Sequence, residues 1–346
     1  MGGRLAVIGA GSFGTAMARV AAEVGPTVLW CRSTETAATL QEARVNERYL
    51  PNAPFPEQLA VTSSLAEALD GAEVVLMAIP SHGTRAVLEL AAPFIVAGTP
   101  VVSLTKGIED GTSLRMSQLI AELVPGAESG VLSGPNLAHE IAAGQPAATV
   151  VAMGSIELAE LVQGKLHNGR FRVYTSTDVV GCEVAGATKN VIALAAGIAD
   201  GLGFGENTRA ALVTRGLAEL GRIGIALGGE TLTFGGLAGV GDLMATCTSE
   251  RSRNRSVGFA MGKGEPLPQI IERMHMVAEG VKSAGPLVAL SRGLGVEMPI
   301  AEQVAEIVAG HANPADALLS LMDRPAREEW DEALYRGLAT GNLESA

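Results

Sequence analysis

Residues 5–30 constrain the fold more than any other stretch of the chain. A short apolar run, Leu5-Ala6-Val7-Ile8, leads into Gly9-Ala10-Gly11-Ser12-Phe13-Gly14, then a helical pattern over 15–24 and a second apolar run, Thr27-Val28-Leu29-Trp30. Strand, turn, helix and strand at this spacing form a βαβ unit, the context in which G-x-G-x-x-G signals dinucleotide binding. Gly9 admits the tight turn, Gly11 lets backbone approach a pyrophosphate, and Gly14 lets the helix lie against the strand. The helix N-terminus attracts the phosphates. The alternative is a purely structural glycine turn.

Further strand-like runs recur at 59–62, 73–79, 100–104, 130–133, 147–152 and 171–175, with helical patterns between several of them. The expected fold class is α/β: a Rossmann-type, doubly wound, parallel-rich sheet with an antiparallel edge toward its end. Ligands of such sheets bind beyond the carboxyl ends of the strands, where Pro80-Ser81-His82, Thr105-Lys106-Gly107 and Gly134-Pro135-Asn136 fall. Lys106 is placed to point into the cofactor crevice, or is an ordinary loop lysine. Asn136 stands where it can cap the helix that begins near Leu137, a role that does not exclude facing a substrate. NAD binders commonly carry Asp or Glu at the end of the second strand; this chain has Cys31-Arg32. The missing acid and the arginine favour NADP(H), with NAD(H) still possible.

After about Asp178 the strand signal fades and alanine- and leucine-rich helical patterns take over, at 179–198, 208–227, 237–245, 267–274, 282–292, 301–309 and 325–338. Two domains are expected, 1–178 for the dinucleotide and 179–346, all-helical, for substrate. With 346 residues there is enough chain for two cores, and two domains imply a cleft. A net charge of −12 argues against nucleic-acid affinity but leaves room for a local basic pocket. The three cysteines are far apart and form no C-x-x-C, which fits a reducing cytoplasm. No signal peptide is visible. Glu, Lys, Asp or Gly interrupts every apolar run, so no membrane span is expected. The five histidines form no metal-ligand spacing and no G-x-S-x-G is present, so no metal and no serine nucleophile are indicated.

Within 182–207, Ala185, Lys189, Ile192, Ala193 and Ala196 share one helical face, which puts an ammonium on a stripe built to pack. Desolvation lowers a lysine pKa and makes it a usable base near neutrality; the alternative is a stem on apolar surface with its head in water. Asp242 follows the glycine-dense run Gly235–Gly241, and Thr246 lies one helical turn beyond it on the same face. Next come Arg251, Ser252, Arg253, Asn254 and Arg255, groups that bind a phosphate dianion or form a solvated basic turn.

The ordered set GAGSFGT at 9–15, PSH at 80–82, TKG at 105–107, SGPNLAHEIAAGQP at 133–146, FRVYTSTDVVG at 171–181, ATKN at 187–190, DGLGFGENTRAAL at 200–212, TRGLAE at 214–219, GLAGVGDLMATCTSERSRNR at 236–255 and EG at 279–280 resembles bacterial NAD(P)-dependent glycerol-3-phosphate dehydrogenases. The resemblance spans nearly the whole chain and is weakest over the last thirty or so residues. It implies interconversion of sn-glycerol 3-phosphate and dihydroxyacetone phosphate for glycerophospholipid synthesis, and a cytoplasmic homodimer. It makes Lys189 the proton acceptor or donor, with Lys106 touching substrate and cofactor and Asp242 and Asn190 completing the polar setting. It gives Thr246, Ser252, Arg253 and Asn254 to the glycerol backbone and phosphate, and Gly134 and Asn136 to the substrate. Ser12, Phe13, Arg32, Ala138, Arg253, Glu279 and Val277 would line the cofactor beside Gly9, Gly11 and Gly14. Asn136 stands where Thr or Ser is common, and Phe13 where Trp or Tyr is common. The rival readings are another lysine-using dehydrogenase, of the ketopantoate reductase or β-hydroxyacid type, and a non-catalytic dinucleotide sensor.

Overall fold

The structure, a computed structural model, describes residues 3–274 and 278–323. His275, Val277 and the helical pattern at 325–338 lie outside the described residues. The chain divides into two compact units. The first runs to Thr105 and resumes over Arg115–Val179; the second takes Lys106–Leu114 and the chain from Val180. Besides Val179, which falls in the first unit, the division differs from the expected 1–178 and 179–346 in the segment 106–114, where Ile108 packs into the helical unit's core.

In the first unit, β1 (Arg4–Ile8), β2 (Thr27–Trp30), β3 (Leu59–Thr62), β4 (Ala72–Met77), β5 (Pro100–Ser103), β6 (Glu128–Ser133), β7 (Ala147–Met153) and β8 (Phe171–Ser176) form one sheet in the order β3-β2-β1-β4-β5-β6-β7-β8. Its helices are α1 (Ser12–Ala22), α2 (Thr34–Ala43), α3 (Leu65–Leu69), α4 (Ser81–Ala91), α5 (Met116–Leu123), α6 (Ala138–Ala142) and α7 (Ile156–Leu166). Side chains alternate across a strand, so both faces need cover. Leu5 and Val7 pack with residues of α1 and α7, whereas Ala6 and Ile8 pack with residues of α3, α4 and α5. The pairing is parallel except between β6 and β7. Because α7 carries the chain from β7 back to β8, those two pair parallel to each other, and the expected antiparallel edge is a reversed pair of strands.

The second unit is helical: α8 (Val179–Leu202), α9 (Glu206–Ala226), α10 (Thr231–Gly235), α11 (Asp242–Thr248), α12 (Arg253–Gly262), α13 (Leu267–Arg273), α14 (Glu279–Gly293), α15 (Pro299–Val308) and α16 (Pro314–Met322). α8 is longer than its sequence pattern implied, and is long and apolar enough to cross a membrane. Its most apolar window is 89% buried within the protein, as expected of a core helix. The backbones of α8 and α12 approach so closely that a Cβ at Gly258 would lie 2.2 Å from the Leu194 carbonyl oxygen. That crossing places the start of α12 along α8. Gly258→Ala is expected to lower stability by about 1–3 kcal/mol through overpacking, measured as a shifted urea midpoint; an unchanged midpoint refutes the steric role.

Candidate active site

In the first unit, the turn between β1 and α1 has the geometry its glycines require. Gly9 sits at φ +119°, and a Cβ on Gly14 would meet the Gly9 carbonyl oxygen at 1.9 Å. A Cβ on Gly11 would meet nothing within 4 Å, and Gly11 caps α1 with no side-chain hydrogen bond. Open space over a helix N-terminus fits a dinucleotide pyrophosphate. Ser12 and Phe13 open that helix, and Phe13 packs against the adjoining core. Arg32 is exposed just beyond β2.

Asn46, which the sequence reading passed over, holds this turn in place. Its buried amide donates to the Ala10 carbonyl at 3.0 Å and to Thr15 Oγ1 at 2.8 Å. No local pattern marks a residue that acts over such a sequence separation. Asn136 departs from expectation: the N-cap of α6 is Leu137, without a side-chain bond. The Asn136 amide instead turns to β7, donating to the Ala148 carbonyl at 3.2 Å and accepting from Thr149 Oγ1 at 2.9 Å. Gly134, at φ +144°, lies against the same strand, and Ala138 begins α6.

In the second unit, Lys106, Lys189, Asn190, Asp242, Thr246 and Asn254 come together. Lys189 is 5% exposed and Asp242 1%. Asp242 accepts from Lys189 Nζ through Oδ1 at 2.5 Å and from Lys106 Nζ through Oδ2 at 2.7 Å. Thr246 Oγ1 accepts from Lys189 Nζ at 2.6 Å. Burial pushes the Lys189 ammonium down to about 8; the Asp242 charge opposes this and the Lys106 charge adds to it. Burial also pushes the neighbouring Cys247 thiol up to about 12, so it stays uncharged. A π-helical turn, Leu237–Gly241, precedes Asp242, a distortion frequent at functional sites.

A chain of amides fixes the backbone at Lys106. Asn190 Nδ2 donates to the Lys106 carbonyl at 2.8 Å, Asn254 Nδ2 to Asn190 Oδ1 at 2.8 Å, and the Gly280 N–H to Asn254 Oδ1 at 2.9 Å. Ser252 caps α12 by accepting from the Arg255 N–H. Arg253 opens that helix; desolvation of its guanidinium pushes its pKa down, and the charge of Glu279, first residue of α14, opposes the shift. Arg255 is not part of an anion cluster: it pairs with Asp200 at 2.7 Å, as Arg209 does at 2.8 Å.

These geometries agree with the comparisons to known proteins. The model of the N-terminal part of NAD-dependent glycerol-3-phosphate dehydrogenase matches residues 4–159, and that of its C-terminal part matches residues 178–319. The chain belongs to this family. It is 48% identical over 326 residues to glycerol-3-phosphate dehydrogenase (NAD(P)+) 2 of Sphingopyxis alaskensis, covering 94% of this chain and 98% of that one. It is 50% identical over 329 residues to the glycerol-3-phosphate dehydrogenase (NAD(P)+) of Corynebacterium glutamicum strain R, covering 94% and 99%. The crystal structure of glycerol-3-phosphate dehydrogenase from Coxiella burnetii superposes with a TM-score of 0.89 at 38% identity, covering 93% and 99%.

Asn46 gives the family's dinucleotide turn a specific dependence in this chain. Asn46→Ala is expected to weaken NADPH binding about tenfold, or about 1.4 kcal/mol, in a fluorescence titration. An unchanged Kd removes Asn46 from this task.

Proposed function

We propose that this chain catalyses the NAD(P)H-dependent interconversion of dihydroxyacetone phosphate and sn-glycerol 3-phosphate, and so supplies the backbone of glycerophospholipids. The observation that carries this reading is the buried Lys189, held against Asp242 and Thr246 in a chain of this family. A bound dinucleotide would supply the hydride chemistry at C2 of the substrate. Lys189 handles the accompanying proton: in oxidation its neutral amine accepts the C2 hydroxyl proton, and in reduction its ammonium returns it. The ammonium also stabilises negative charge developing on the carbonyl oxygen. Two lysines around one carboxylate leave a formal charge of +1, which suits a phosphorylated substrate. Lys106 contacts the substrate in this scheme.

Ser252 and Arg253 hold the phosphate at the start of α12, where the helix N-terminus adds its own attraction. Asn254 contributes its backbone N–H, because its side-chain amide is engaged by Asn190 and Gly280. Gly9, Gly11, Ser12, Phe13, Gly14, Arg32 and Ala138 hold the dinucleotide. The exposed Arg32 supports a preference for NADP(H) over NAD(H). Three buried free cysteines fit a reducing cytoplasm, and homodimer assembly is expected of the family. A dinucleotide sensor has no use for a buried proton-handling lysine, and a substrate without a phosphate would not need Ser252, Arg253 and Asn254 together.

Lys189→Ala is expected to lower kcat at least about 100-fold while leaving the NADPH Kd nearly unchanged. With its pKa at about 8, Lys189 is an effective base only above that value. In the wild type, kcat/KM for glycerol 3-phosphate oxidation therefore rises with pH to a plateau above about 8, and that for reduction falls over the same range. A flat profile across pH 7–9, or near-normal turnover of Lys189→Ala, removes the lysine from this role. For cofactor choice, Arg32→Ala is expected to raise KM for NADPH about tenfold with little change for NADH. Equal or better use of NADH by the wild type would sink the preference.

A further inference from the structure

We propose that Thr246 is a positioning residue which, with Asp242, aims the lone pair of Lys189 at the substrate hydroxyl instead of binding the glycerol backbone. The inference rests on the reading of Lys189 as proton acceptor and adds a directional requirement to it.

A threonine hydroxyl carries one hydrogen. In Thr246 both acceptors within reach of that hydrogen belong to Asp242: the carbonyl oxygen, one helical turn back, at 2.7 Å and Oδ1 at 3.4 Å, and the nearer takes it. The same oxygen accepts from Lys189 Nζ at 2.6 Å. An ionised carboxylate also only accepts, and Asp242 Oδ1 takes a second Nζ hydrogen. Two of the three positions around Nζ are thus occupied by groups that cannot donate to it. When the ammonium gives up its proton, the two remaining N–H groups stay on Thr246 and Asp242, and the lone pair takes the third direction. A hydroxyl free to rotate would instead donate to the neutral amine and cap the lone pair that must accept the substrate proton. Thr246 is 6% exposed, so water does not compete readily for its hydroxyl. The charged and titratable groups acting on Lys189 are Asp242 and Cys247 from α11 and Lys106 from the 106–114 segment.

The test is a series at one position. Thr246→Val keeps the shape and loses the hydroxyl; Thr246→Ser keeps the hydroxyl. Thr246→Val is expected to lower kcat for glycerol 3-phosphate oxidation about 10- to 100-fold with KM changed less than about threefold, and Thr246→Ser to restore kcat to within about threefold. The midpoint of the pH profile of kcat/KM is expected to fall in Thr246→Val, because the ammonium form loses an acceptor. Thermal melting checks that the variants fold, and Thr246→Ala replaces Thr246→Val if the latter does not. A raised KM with unchanged kcat assigns Thr246 to substrate contact and overturns the proposal. An unmoved pH midpoint, or equal loss in the valine and serine variants, also overturns it. If Lys189→Ala turns over normally, the Lys189 reading fails and this inference with it. If Lys189→Ala is inactive but Thr246→Val is normal, only the positioning role fails.

Discussion

One carboxylate, Asp242, holds two ammonium groups in the interior of the helical unit, and the remaining site geometry depends on it. Taking three charges out of water costs several kcal/mol per ion unless each is paired and hydrogen-bonded. Asp242 meets that condition with one oxygen for each lysine. The two amines are then held near each other with a net charge of +1, a state unfavourable without the carboxylate and useful for a dianionic substrate. Like-charge proximity and burial both push Lys189 toward deprotonation, while Asp242 restrains it. The balance brings the Lys189 pKa down to about 8, within reach of the neutral amine just above neutral pH.

The scaffold supports this arrangement through backbone proximity as much as through bulk. α8 is buried along nearly its whole length, which places Lys189 and Asn190 away from solvent without any special pocket. Its close crossing with α12 brings Asn254 within 2.8 Å of Asn190. From there the amide chain runs to the carbonyl of Lys106 and to the N–H at the start of α14. Four separate segments, 106–114, α8, α12 and α14, are therefore held by three hydrogen bonds between neutral groups. Such a connected network is costly to leave half made, so its members constrain one another's rotamers.

Much of this was legible in the amino-acid order, and the part that was not has a common cause. The βαβ unit, the strands and the change to helical period around 178 are local patterns, set by alternation of apolar residues over a few positions. Lys189 and Asp242 stood out because a charge on an apolar stripe and an acid after a glycine run are also local anomalies. By contrast, Asn46, Asn136 and Arg255 took partners the sequence did not suggest. Asn46 reaches Ala10 across 36 positions and Arg255 reaches Asp200 across 55. Asn136 had a plausible local role as a cap, and the start of β7 outcompeted it by offering both a donor and an acceptor to its amide. The transfer of 106–114 to the helical unit has the same origin: Ile108 finds its apolar partners far along the chain.

The buried ionisable groups of the helical unit also differ in a way that separates structure from chemistry. Glu219 is 1% exposed and its carboxyl is pushed up to about 7 by burial, although backbone N–H groups of Ile300 and Ala301 oppose the shift. Both of its oxygens are occupied, one by each N–H at the start of α15. Asp200 is likewise filled, by Arg209 and Arg255. A perturbed pKa alone would rank Glu219 beside Lys189 as a functional candidate. What distinguishes them is what holds the polar atoms: each Glu219 oxygen accepts a backbone N–H that ties α9 to α15, whereas Lys189 has three positions and gives two to acceptors fixed on α11. A group tied at both oxygens to fixed backbone donors stabilises the fold. One that keeps a single, defined direction in reserve has a place for a reacting atom.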